Sequence, residues 1–205
     1  TIDMTEALSG FQTRIRAISA KASLTVDGCK FIGNGSTNNT RAIIVGEASG
    51  TAISDINVSI TNSEFINWRR AISDNENAQD VKSFVIEGNT FNDASVYVSA
   101  SESIKFNNNK VTKGELNVTS YTSKDSVEVT AVENTLTEVL TGITVNPENV
   151  TADDNITTAV AKIGSKYYLS IEEALAKAKA SDVIVLVANV TLTEEIVLDN
   201  TSVNF

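Results

Sequence analysis

The sequence predicts an all-β solenoid, and three observations carry that expectation. Near-copies of one phrase recur along the first two thirds of the chain. Each copy interrupts its apolar alternation at a short polar bend before the alternation resumes. The strands so defined are four to six residues long with one apolar face, which a lone strand cannot bury.

The phrases align as follows. Leu24 to Phe31 reads LTVDGCKF, Val58 to Phe65 VSITNSEF, Phe84 to Phe91 FVIEGNTF and Ile104 to Val111 IKFNNNKV, with a weaker copy, VEVTAVENTL, at Val127 to Leu136. The third residue of each of the first four is an apolar strand position (Val26, Ile60, Ile86, Phe106). Three residues later stands a small or amide side chain, and two residues after that the apolar position returns as Phe31, Phe65, Phe91 or Val111. A second short strand follows each phrase: AIIV at Ala42, AIS at Ala71, SVYV at Ser95 and ELNV at Glu115. The anchors lie 34, 26 and 20 residues apart, so the loops differ in length while the strands stack.

At the bend a small or amide side chain turns inward, and stacked amides satisfy one another and the nearby backbone. Cys29, Ser63, Asn89 and Asn109 are the expected members of that ladder, with Cys29 a buried small hydrophobe. Gly88 supplies the backbone freedom for the bend in its coil.

These phrases resemble the coils of the pectate-lyase-like superfamily over about Ala17 to Val132. The resemblance implies a right-handed parallel β-helix, over about residues 1–140 here. Members of that superfamily include polysaccharide lyases, glycoside hydrolases, esterases, phage tailspikes and non-catalytic surface adhesins, so the fold alone selects no function.

Beyond Thr137 the pattern changes. Residues 141–156 hold the only proline, Pro147, and read as a connecting loop. Residues 157–205 read as a small strand–helix–strand module, with strands at Ala159 to Ile163, Tyr167 to Leu169, Asp182 to Val187 and Glu195 to Leu198. Its helix opens on a capping box, Ser170 with Glu173, and carries Ile171, Ala174, Leu175 and Ala178 on one face. This segment resembles a module of large surface proteins from Gram-positive and gut bacteria. The matching positions are Tyr168, Ser170, Ile171, Glu173, Ala174 and Leu175, then Asp182, Ile184 and Leu186. The resemblance implies a cap over the coils or the start of a further β-helix, giving an all-β protein with a small C-terminal α/β capping segment.

Composition narrows the chemistry. The net charge of -10 leaves no basic patch for nucleic acid. Cys29 is the only cysteine and histidine is absent, which removes an intrachain disulfide, a CxxC zinc site and the usual base of a nucleophilic triad. No run has the roughly 18 apolar residues of a membrane helix. No cofactor is expected beyond a weak surface calcium, since Asp153 and Asp154 do not make an oxygen cage. The chain begins with Thr1 and reads as part of a longer, multi-domain protein.

One stretch offers candidate site residues: NWRRAISDNENAQD, Asn67 to Asp80. It supplies Trp68 as a sugar-stacking platform with Arg69, Arg70, Asp74, Glu76 and Asp80 as polar ligand contacts, and Asp93 is expected one coil away. Were the protein an enzyme, Arg69, Arg70, Asp74 and Asp93 would be its catalytic candidates, because β-helix hydrolases divide acid and base work between paired carboxylates. No lyase or hydrolase motif is matched residue by residue. The expected function is therefore a non-catalytic structural or adhesive segment of a secreted or surface-anchored bacterial protein. Its solenoid face would bind a polysaccharide or a host surface protein. The alternatives are a polysaccharide lyase or glycoside hydrolase fragment, and a phage fibre component, which would be trimeric.

Overall fold

The computed structural model describes residues 1–6, 16–35, 40–46, 55–74, 81–120 and 126–190. Over these residues the chain is predominantly β, with two large parallel sheets and a small third sheet that carries the helix. The first large sheet has six strands, ordered Val150–Ala152, Glu128–Ala131, Ser103–Asn107, Val81–Glu87, Ile56–Thr61 and Leu24–Asp27. Its spatial order is the reverse of chain order, and every pairing in it is parallel.

The second sheet has eight strands, with Ile2–Asp3, Lys30–Gly35, Glu64–Asp74, Thr90–Ala100, Lys110–Ser120 and Thr135–Thr144 side by side. Arg41–Val45 pairs Glu64–Asp74, and Arg16–Ala20 pairs Arg41–Val45. The chain thus visits the first sheet, turns, and visits the second, once per coil. Each coil pairs only with its neighbours, a solenoid-like arrangement. The expected second short strands differ in one respect. AIS, SVYV and ELNV continue the strand before them, giving runs of 11 residues each. A left-handed residue bends each run: Asn67, Asp93 or Lys113, with Glu138 at the same place one coil further on.

Inward positions build one core. Phe31, Phe65 and Phe91 stack with ring centroids 4.9 and 5.1 Å apart, close to the ~4.8 Å between paired strands. Parallel register repeats the same side chain at the same height, so the rings align face upon face.

The bend between the sheets also repeats. Gly28, Asn62, Gly88, Asn108 and Glu133 each stand two residues before the next strand, with φ between 49 and 66°. Glycine and asparagine enter this region at least cost. The residue after each carries the ladder. The N–H of Cys29 donates to Ser63 Oγ (3.1 Å), that of Ser63 to Asn89 Oδ1 (2.9 Å), and that of Asn89 to Asn109 Oδ1 (2.9 Å). The column continues beyond the expected members: Asn109 N–H donates to Asn134 Oδ1 (3.0 Å), and Asn134 N–H to Asp153 Oδ2 (3.0 Å). Ser63, Asn89 and Asn109 are buried. Cys29 is exposed, which corrects its reading as a buried hydrophobe. It belongs to the first of these corners, and no described corner stands above it.

Of residues 141–156, Thr141 to Thr144 lie within a strand and Val150–Ala152 forms the edge of the first sheet. The small antiparallel sheet follows, with Ala161–Ile163 between Lys166–Tyr168 and Ile184–Leu186. Its helix, Ile171–Lys177, is capped at Ser170, whose Oγ accepts the N–H of Glu173 (3.1 Å). Glu173 Oε2 accepts from Leu169 N–H, one residue outside the expected box partner. Ala161, Tyr168, Ala174 and Ile184 form a second small core. Leu169 lies over Gly142, where a β-carbon would come within 2.7 Å of it. The expected strand at Glu195 to Leu198 lies outside the described residues.

Candidate functional site

A groove of about 420 Å³ runs along the outside of the second large sheet, across four successive strands. At ~4.8 Å per strand it extends about 14 Å parallel to the stacking axis. Local irregularity places its cations. Trp68 pairs Ala94 and Ile72 pairs Val96, so three residues of one strand face one of the next. This bulge carries Arg69 and Arg70, and both line the groove.

Arg70 lies over the ring of Tyr97, 4.4 Å from its centroid. Tyr97 OH donates to Glu115 Oε2, and Glu115 N–H donates to Ser95 Oγ (3.1 Å). At the bend, Lys113 Nζ pairs with Asp93 Oδ2 at 3.2 Å. Gly114 lets these strands approach, since a β-carbon there would lie 2.9 Å from the Ala94 carbonyl oxygen. Glu138 and the exposed Leu140 complete the far end.

The candidates of Asn67 to Asp80 therefore separate. Arg69, Arg70 and Asp93 are brought together in the groove. Trp68 is fully buried and is corrected from a platform to core packing. It stands against Gly33, where a β-carbon would fall 2.8 Å from its ring. Asp74 is 5% exposed at the end of its strand and does not line the groove. Glu76 and Asp80 lie outside the described residues. Sequence reasoning missed Tyr97, Lys113 and Glu115. For Tyr97 the signal was the outward alternation of Ser95, Tyr97 and Ser99 in the strand after FVIEGNTF.

Chemically the groove offers one aromatic ring, one exposed aliphatic side chain, and charges of both signs, of which Arg70, Asp93, Lys113 and Glu115 engage neighbours. Among the described residues no group of three or more Asp, Glu or Cys is placed to hold a metal ion. Among them, no helix is long and apolar enough to cross a membrane. No family model, no curated protein sequence and no solved structure matches this chain.

Proposed function

We propose that this chain is a non-catalytic structural and adhesive segment of a secreted or surface-anchored bacterial protein, binding a glycan along its side groove. The observation that carries the reading is Tyr97, with Arg70 over its ring and Glu115 on its hydroxyl. An aromatic face with flanking charged hydrogen-bonding groups suits a sugar ring, which is apolar on its faces and polar around its edge. Asp93 and Lys113, paired at 3.2 Å, add charged groups of both signs at the bend beside that ring. Crossover connections between parallel strands are right-handed in nearly all proteins, which supports a right-handed parallel β-helix. Residues 157–205 would serve as its cap or open a further helix, and residues 1–140 would form the coils. The surface-protein setting draws on the resemblance around Tyr168 to Leu175.

A lyase or hydrolase reading draws on the gathering of Arg69, Arg70 and Asp93 in one groove. The experiment that separates the two readings incubates the chain with uronate-containing and neutral polysaccharides, with and without calcium. Retention on a polymer, without new reducing ends or unsaturation, is the expected result. Turnover abolished by Arg70→Ala would make the protein an enzyme. Neither turnover nor retention would remove the glycan and leave a structural stalk.

A further inference from the structure

We propose that the side groove is polarised for a zwitterionic glycan, one whose repeat carries an acidic group and, a few sugars along, an unsubstituted amine. This rests on the glycan reading above and adds the charge pattern of the ligand to it. Arg69 and Arg70 enter at the first of the four strands, Glu138 and Leu140 at the last. Arg70 leans over Tyr97, on the next strand, which holds its charge within the groove. Between the two ends Asp93 and Lys113 pair with each other at 3.2 Å. Cations and an anion thus stand at opposite ends, about 10–14 Å apart at the spacing of paired strands.

The far end holds an uncommitted carboxylate. Glu138 is exposed and has no hydrogen-bond or ion-pair partner among the described residues. Glu115, by contrast, accepts from the Tyr97 hydroxyl, and Asp93 from Lys113. The backbone adds a second observation. Asn67, Asp93, Lys113 and Glu138 occupy the same left-handed corner in successive coils, at φ 57, 49, 61 and 54°. Lysine and glutamate enter that region less readily than the asparagine and aspartate before them. A strained corner that nonetheless presents a charge to the groove points to a use for that charge.

The rest of the molecule selects among ligand classes. The net charge of -10 opposes a purely acidic polymer, and an amine on the ligand offsets that repulsion. The arginines oppose a purely basic one. A docked polypeptide strand would need main-chain partners, but the first three groove strands are already paired on both sides. Side chains around one aromatic ring remain, which suits a sugar with charged groups at its edge.

The test measures, by titration calorimetry, binding of a hexasaccharide of alternating glucuronate and unsubstituted glucosamine. At about pH 6 its carboxylates and amines are both charged. Two relatives each remove one sign of charge: the N-acetylated form and the carboxyl-reduced form. The parent should bind the zwitterion about fivefold more tightly than either, the upper end for an exposed charge pair. Glu138→Gln should bring the amine and N-acetylated forms to one affinity, and Arg69→Gln the acid and carboxyl-reduced forms. Both residues are exposed, so both variants should keep the circular dichroism of the parent. Glu138 has no partner to lose, so its arm stands even if Arg69→Gln does not fold. Equal binding of all three sugars, or a preference for the amine that survives Glu138→Gln, would overturn the polarity and leave the glycan reading standing. Binding of none of them would overturn both. A peptide with aspartate and lysine at the same separation, bound as tightly and with the same dependence on Glu138, would assign the groove to a polypeptide and overturn the glycan.

Discussion

Asn109 Oδ1 accepts both the backbone N–H of Asn89, at 2.9 Å, and its Nδ2, at 3.1 Å, although 20 residues separate the two. Asn109 Nδ2 meanwhile donates to the Ile86 carbonyl (2.8 Å). Asn89 does the same one coil earlier, accepting from Ser63 N–H and donating to the Ile60 carbonyl (2.9 Å). Each amide thus clamps the corner of the coil before it, holding one donor and one acceptor that burial removes from water. Serine at position 63 serves as acceptor and returns its proton to its own strand, at the Thr61 carbonyl.

Asn89→Leu should destabilise the protein despite the added apolar surface. It leaves Ser63 N–H and the Ile60 carbonyl unsatisfied, each at about 1–3 kcal/mol. Burying leucine returns about 1.5–3 kcal/mol at best, and only if its branched end fits the corner. The expected net loss is about 2 kcal/mol, read from urea unfolding. An unchanged midpoint would mean that the corner bonds contribute little.

Phe65→Ala should cost about 3–5 kcal/mol, the range for emptying an aromatic core site. Phe65 is stacked on both faces, between Phe31 and Phe91, so collapse of the cavity would require two aligned coils to move together. Leu140→Ser should fall within about 0.5 kcal/mol of the parent, as an exposed side chain away from packing. The contrast between the two thermal midpoints checks that the inward column carries the stability.

The Asp27 carboxylate is held below the ordinary range, first by the hydroxyl of Thr61 (2.7 Å) and then by the amide of Asn62 (2.9 Å). A depressed folded pKa adds stability that is fully present above the unfolded value. It is lost as pH falls through the folded pKa. Stability should therefore decline on acidification below about pH 4, where the unfolded carboxyl titrates. Thr61→Val should move the Asp27 titration upward in a carbon-detected NMR experiment. No movement would remove the hydroxyl as its cause.

The repeating phrase made the coils legible because period-two alternation and a small residue at the bend are both local signals. Register then followed: once Phe31, Phe65 and Phe91 align, the ladder positions must align as well. Asn134 was harder to see, because Ala131 replaces the larger Val, Ile or Phe of the other phrases and weakens the copy around it. Asp153 was hidden by a proline nearby, which reads as a loop although Val150–Ala152 still pairs. The groove was legible only in part. Arg69 and Arg70 are adjacent in sequence, but their outward placement depends on a bulge set by the neighbouring strand. The burial of Trp68 depends on Gly33, 35 residues earlier, leaving room for its ring.

Trp68 and Tyr97 should exchange the roles that composition suggests. Trp68→Phe shrinks a fully buried ring and should lower stability, while retention on any bound polysaccharide stays as in the parent. Tyr97→Ala removes the ring beneath Arg70 and the hydroxyl that meets Glu115, and should abolish retention with little change in unfolding. Tyr97→Phe divides the two contributions. Stacking survives in it, so retention should fall only partly, by the share that depends on the orientation of Glu115. Affinity electrophoresis of the three variants beside urea unfolding reads both quantities. Retention by Tyr97→Ala equal to the parent would move the binding face off this groove.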